Sequence, residues 1–377
     1  MNRQRWFPCW RRGIRVDAKF RKVLALLLVF ALVAVFAVGC GGGEEEEPAD
    51  NGDGVEAPTT DVKAAMVTDV GGLGDKSFND MSWEGLLRAE QELGVEIRAL
   101  ESNEIADYEP NIDQLANAGY SAIFTVGFLM TDTTTAKAPE YPDVVFGGID
   151  QFFEEPAENQ AGLLFKENEA AYLAGVVAGL ATLDSGLDDR INDQNVIGFV
   201  GGMDIPPVEK FEVGFIAGAR SVNPDVEVIS LYAGSFDDQA KGKELALSAI
   251  DQGADVVFAA AGLTGLGSIT ACQERGALFI GVDADQYETV PGSGDVMLTS
   301  AIKRVDTAVF ETVKAVVEGT FVGSENREFG LAEDGVGLAP YHDFDSAVSQ
   351  DIKDAVEEAR QAVLDGTVTV PALRSEL

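Results

Sequence analysis

Residues 63–94 read KAAMVTDVGGLGDKSFNDMSWEGLLRAEQELG. The opening run, Ala64 to Thr68, suits a buried strand. A glycine-rich turn follows, and Ser77 to Leu93 then sets Trp83, Leu86, Leu87 and Leu93 on related faces of a helix. Ser77-Phe-Asn-Asp80 has the form of a capping box, and Gly94 that of a helix stop. Strand, turn and helix recur down the chain, with further strands expected near 96–101, 121–127, 143–149, 195–201, 227–233, 254–261, 277–283 and 296–302. Runs such as Val144-Val-Phe and the Val-Val-Phe that follows Asp255 are continuously apolar, as a parallel sheet covered on both faces requires. The pattern predicts an α/β fold. Two sheets of five or six strands fit the length better than one of ten, so two doubly wound lobes should face each other across a cleft. In such sheets ligands lie beyond the carboxyl ends of the strands. The informative stretches are therefore 68–79, 148–150, 201–204, 261–267 and 281–286.

The chain has 377 residues, and 27 Lys plus Arg against 64 Asp plus Glu leave a net charge of −37. Residues 1–39 hold eight basic side chains and one acidic one, so the remainder carries −44. A surface that acidic repels phosphate backbones and argues against nucleic-acid binding. Its self-repulsion in dilute salt also suggests a protein adapted to brine. The only histidine is His342, which removes the raw material for His-based metal sites and for Ser-His-Asp or Cys-His catalysis. No metal, no cofactor and no enzymatic activity are expected. The cysteines are Cys9, Cys40 and Cys272, too few for a disulfide framework once the chain is cut before Cys40. Cys272 reads as a buried, inert thiol on a helix.

A basic flank and sixteen apolar residues, Val23 to Val38, read as a secretory signal over 1–39, an uncleaved anchor being the alternative. Ala37-Val-Gly-Cys40-Gly resembles the lipobox of prokaryotic lipoproteins, which implies lipidation at Cys40 and a cell-membrane location on the extracytoplasmic face. Arg11-Arg12 leaves twin-arginine export as an alternative route. Residues 40–61, rich in Gly and Glu, read as an acidic disordered tether.

Asp69 to Asn79, Phe211-Glu-Val-Gly-Phe215, Gly234 to Lys243, Gly281 to Gln286 and Ser300 to Asp306 together resemble the basic membrane protein family. These are lipoprotein substrate-binding components of ABC importers, several of which bind purine nucleosides. The similarity runs from about 63 to 342 with the motifs in the same order. It implies the type I periplasmic-binding fold, two Rossmann-like lobes joined by three crossovers with a ligand cleft between them. Lobe 1 is expected at 62–155 plus 286–320, and lobe 2 at 156–285 plus 321–377. The implied partners are a nucleoside or related small molecule and ABC permease subunits, with the receptor itself a monomer.

Candidate ligand-binding residues follow from the resemblance and the strand ends together. Asp69 is a turn-forming residue or, by resemblance, a hydrogen-bonding partner of the base or sugar. The resemblance places Phe78 on one face of the base and Phe211 on the other, with Phe215 as ordinary core, and gives Asn79 an amide for the base edge. Gly262 would offer backbone where a side chain would obstruct the ligand. Asp283 should accept from ribose hydroxyls, Asp285 being its rival. Lys303 should donate to the sugar and neutralise Asp283, and Asp150 ends a strand near the first crossover. Gly71-Gly-Leu-Gly-Asp-Lys-Ser is not a phosphate-binding loop, because Asp75 separates the last glycine from Lys-Ser. A sugar or other small polar metabolite is the alternative ligand, and a ligand-sensing receptor subunit the alternative role.

Overall fold

The computed structural model describes residues 60–377. The expected signal, Cys40 and the tether up to residue 59 lie outside the described residues. Nine of the twelve strands are those expected: β1 (Lys63–Val67), β2 (Glu96–Leu100), β3 (Ala122–Val126), β4 (Val145–Ile149), β6 (Val196–Gly201), β7 (Glu227–Tyr232), β8 (Ala254–Ala260), β9 (Leu278–Asp283) and β10 (Met297–Lys303). Three are additional: β5 (Gln160–Phe165), β11 (Glu325–Phe329) and β12 (Val336–Leu338). They form two six-stranded sheets, ordered β11-β5-β4-β3-β1-β2 and β12-β10-β9-β8-β6-β7. All neighbours run parallel except β12, which pairs antiparallel with β10.

Helices α1 (Phe78–Leu93), α2 (Tyr108–Asn117), α3 (Thr131–Glu140) and α9 (Val305–Glu318) pack on the first sheet. Helices α4 (Glu167–Ala181), α5 (Pro206–Val222), α6 (Gln239–Asp251), α7 (Leu263–Arg275), α8 (Gln286–Thr289) and α10 (Gln350–Leu364) belong with the second. Helices α4 and α5 approach so closely that a Cβ on Gly218 would lie 1.9 Å from the Tyr172 carbonyl oxygen. One apolar core runs through both sheets and joins Phe124 and Phe165 of the first to Phe199, Phe215 and Phe258 on the second, while Phe146 and Phe279 lie in smaller clusters, one on each sheet. Phe215 is core as expected, its ring centroid 5.2 Å from that of Phe258. Cys272 is fully buried, and burial pushes its thiol up, which leaves it unreactive.

The strand pairing corrects the expected lobe division. Residues 160–165 form β5 in the first sheet rather than the second, because the apolar run Gly162-Leu-Leu-Phe165 fits between β4 and β11. Residues 297–303 form β10 in the second sheet, beside β9. Residues 325–329 close the edge of the first. The chain crosses between sheets at Phe165–Glu167, Lys303–Val305 and Phe329–Val336. These three passages run side by side: Lys166 N donates to Phe329 O at 3.0 Å, and Arg304 N to Gly335 O at 2.9 Å.

The start of α1 departs from expectation in its chemistry. Ser77 makes no side-chain cap. The Asp75 carboxylate takes that role, accepting from Asn79 N at 2.8 Å, Ser77 N at 3.0 Å and Asp80 N at 3.1 Å. An anion among the free N–H groups of a first turn is favoured by hydrogen bonding and by the helix dipole together. Gly94 ends α1 in the left-handed conformation, φ 69°, as expected.

Candidate functional site

Beyond the carboxyl ends of both sheets lies a cavity with about 590 Å³ of space between its atoms. All eight residues singled out from the sequence line it: Asp69, Phe78, Asn79, Asp150, Phe211, Gly262, Asp283 and Lys303. Residues from both lobes contribute, β1, β3 and β4 leading into one wall and β6, β8 and β9 into the other.

Lys303, the last residue of β10, is 1% exposed. Its ammonium lies 2.6 Å from Asp150 Oδ2 and 3.0 Å from Glu167 Oε1. The same ammonium stands 4.8 Å from the Phe78 ring centroid, 5.0 Å from Phe165 and 5.9 Å from Phe211. The cation is thus held by two carboxylates and faced by three aromatic rings, which attract it through their quadrupoles. Glu167 receives a second cation, Lys210 Nζ at 3.1 Å. Burial would raise the Glu167 carboxyl, but the two lysines outweigh it and hold it below the ordinary value. Asp150 contacts only Lys303 directly, and desolvation outweighs both lysines and pushes its carboxyl up to about 6. Lys303 therefore pairs with Asp150 and Glu167 and not with Asp283, contrary to the expected neutralisation.

Asp283 closes β9 with φ 62°, and Asp150 follows β4 with φ 60°. These are equivalent strand ends of the two sheets, and both aspartates hold a left-handed backbone uncommon outside glycine, which aspartate tolerates better than most. Asp283 Oδ1 and Asp150 Oδ1 are buried with no hydrogen-bond partner among the described residues. Desolvation pushes the Asp283 carboxyl up to about 8, against the pull of Lys303. Asp69 is raised to about 6, again chiefly by burial, although Asn79 Nδ2 donates to its Oδ1 at 2.9 Å and Gly71 N at 2.8 Å.

Three expectations change in detail. The Asn79 amide is engaged within the protein: Nδ2 donates to Asp69 and Asp75, and Oδ1 accepts from Asp69 N at 3.3 Å. It orients Asp69, and neither of its amide hydrogens is left free. Gly262 has φ 55° and ψ −136°, a backbone suited to glycine. A Cβ there would meet nothing closer than 3.5 Å, so conformation and not crowding by the protein demands the glycine. Asp285 lies off the cavity and pairs with His342 Nε2 at 2.7 Å, while the His342 ring stacks on Tyr287 at 4.0 Å.

The sequence reading missed Glu167, Phe128 and Phe236. The two aromatics line the cavity just past β3 and β7, where the strand-end rule applies equally and could have found them. Glu167 follows β5, a strand that itself went unrecognised. Near the cavity but outside its lining, Gln286 Nε2 and Thr289 Oγ1 of α8 both donate to the Lys76 carbonyl, at 3.3 and 3.1 Å. These bonds join the loop before α1 on the first sheet to a helix on the second.

Residues 62–373 match the family described as ABC transporter substrate-binding protein, PnrA-like. The chain belongs to this family. Members are substrate-binding proteins of ABC transporters, a role without catalysis. Among relatives, an ABC transporter nucleoside-binding protein, BmpA, of Lactococcus lactis is 37% identical over 83% of this chain and 90% of its own. A CD4+ T-cell-stimulating antigen of Listeria innocua is 34% identical over 93% and 99%. An uncharacterized lipoprotein of Pyrococcus abyssi is 37% identical over 90% and 80%. Among solved structures, an ABC transporter solute-binding protein of Aeropyrum pernix superposes with a TM-score of 0.75 at 32% identity, covering 83% of this chain and 95% of that one. The two-sheet architecture is the type I fold of such PnrA-like proteins, as expected from the sequence.

Proposed function

We propose that this PnrA-like protein is a lipid-anchored extracytoplasmic receptor that captures a nucleoside, a purine nucleoside by preference, and delivers it to a membrane permease. The observation that carries this reading is the composition of the cavity. Aromatic rings at Phe78 and Phe211 suit a flat base. The buried carboxyl oxygens of Asp150 and Asp283 lack donors and suit the hydroxyls of a sugar. Phe128 and Phe236 add apolar surface, and four aspartates against one lysine disfavour any ligand bearing a phosphate. The named nucleoside-binding relative supports the ligand class, and the named lipoprotein relatives support an anchor at Cys40. The α8 contacts with Lys76 belong to a closed arrangement of the lobes. A ligand that binds this arrangement better than an open one shifts the population toward it, and the permease would read that state.

The test is calorimetric titration of residues 62–377 with adenosine, guanosine, inosine, cytidine, uridine and ribose. Micromolar or tighter binding of purine nucleosides with ribose silent is expected. Silence for every nucleoside would overturn the reading and favour a sugar or other polar metabolite.

A further inference from the structure

The wall of the cavity that carries Phe211 is held from behind by a residue far away in sequence. Arg374 lies in a short turn, Arg374–Glu376, shaped by Glu376 Oε2 accepting from Ala372 N at 2.8 Å and Leu373 N at 3.2 Å. From there Arg374 reaches three parts of the second lobe that converge on the cavity. Its Nε donates to Glu212 Oε2 at 2.6 Å, next to Phe211 on α5. Its Nη2 donates to Tyr232 OH at 2.6 Å, at the end of β7, and lies 2.8 Å from Asp204 Oδ1 on the loop that leads into α5. Its backbone N donates to Glu209 Oε1 at 2.8 Å, one turn before Glu212.

The partners are themselves joined. Tyr232 OH donates to Glu212 Oε2 at 2.7 Å, and the guanidinium lies 5.1 Å from the Tyr232 ring centroid. The Glu212 side chain is only 7% exposed, so these donors stand in for water at its oxygens. The Tyr232 ring covers Gly201, where an added Cβ would lie 2.5 Å from it. Ile205, Pro207, Val208 and Phe211, which line the cavity, all fall in the segment between Asp204 and Glu212. One planar fork thus fixes the loop, the first two turns of α5 and the end of β7 relative to one another. No lysine presents that geometry.

We infer that Arg374 is a positioning residue of the ligand site: without touching the ligand, it sets the placement of the 204–212 segment and hence of the Phe211 ring. The inference rests on the cavity being the nucleoside site. Members of one hydrogen-bonded network couple strongly, so Arg374→Ala is expected to weaken nucleoside binding by about 5- to 30-fold. Arg374→Lys keeps the charge but not the fork, and should recover part of the loss.

The experiment compares purified full-length wild type, Arg374→Ala, Arg374→Lys and Arg190→Ala, by guanosine titration well below each melting temperature and by amide exchange of the ligand-free proteins. Arg190 is a matched control in the same lobe, bound to Asp188 and to Asp295 O and absent from the cavity. Weakened binding and faster exchange over 204–212 in Arg374→Ala, with neither in Arg190→Ala, supports the inference. Unchanged affinity with unchanged exchange, or equal losses in both variants, overturns it. Should wild type bind no nucleoside, the proposed function falls, while exchange over 204–212 still decides whether Arg374 positions that wall.

Discussion

Replacing Asp283 by Asn should stabilise the empty protein while impairing the site. The Asp283 carboxyl is buried, has an unpartnered oxygen and is pushed up to about 8. At pH 7 it therefore keeps its proton in the folded state, whereas in the unfolded chain it ionises near the ordinary 3.8. A group whose folded pKa is raised contributes stability below its unfolded pKa and loses it as pH rises through the folded value. At about 1.4 kcal/mol per pH unit, the loss between pH 4 and pH 7 is at most about 4 kcal/mol. Asn cannot ionise and accepts the positive φ. The stability difference between Asp283→Asn and wild type should thus start near zero at pH 4, widen up to about pH 8 and then level off. Urea unfolding at fixed ionic strength without ligand measures it, and titrating groups remote from Asp283 cancel in the difference. Parallel curves from pH 4 to 8 would refute the argument. In the same variant, affinity for a hydroxylated ligand should drop about tenfold, because hydroxyl donors that would favour the ionised Asp283 carboxylate have no such form to bind in Asn.

Phe78→Ala should weaken nucleoside binding by about 1–3 kcal/mol with little change in melting temperature, as the ring is only half buried; titration and a melt together check both halves. Thr289→Val removes one of the two donors to the Lys76 carbonyl and should speed ligand release about 2- to 10-fold, read by stopped-flow dissociation, while association changes less. The net charge of −37 predicts a rise in unfolding temperature from dilute to molar salt, as the screening length falls from about 10 to about 3 Å. An unchanged melting curve would remove the brine reading.

Why the sequence revealed so much of this protein, and where it stopped, can be traced to particular elements. Strands β3, β8 and β9 are apolar but for one residue each and stand out because both faces of a parallel sheet are covered. β11, with Glu325, Asn326, Arg327 and Glu328, is an edge strand whose composition resembles a loop, and β12 has only three residues. Missing β5 displaced the first lobe boundary and hid Glu167, so the buried ion pairs of Lys303 were invisible. The eight cavity residues were found because strand ends and the family resemblance point to the same places. Their partners were harder: no local pattern shows that the Asn79 amide is already used by Asp69, or that Asp75 replaces Ser77 as the helix cap. Those pairings depend on the path of a glycine-rich turn, with Gly72 at φ 66° and Gly74 at φ 91°.

The ion pairs of Lys303 have a mechanical meaning beyond their chemistry. Lys303 is the last residue before one passage between the sheets and Glu167 the first after another, so these buried charges sit at the passages about which the lobes would turn. In any rotation, displacement grows with the lever arm. The Lys303 contacts would barely stretch, whereas the Lys76 carbonyl and its donors on α8, far from the pivot, would separate first. Opening would then cost neutral hydrogen bonds such as those to the Lys76 carbonyl while the Lys303 ammonium keeps its carboxylates, so that no buried ion need be left alone.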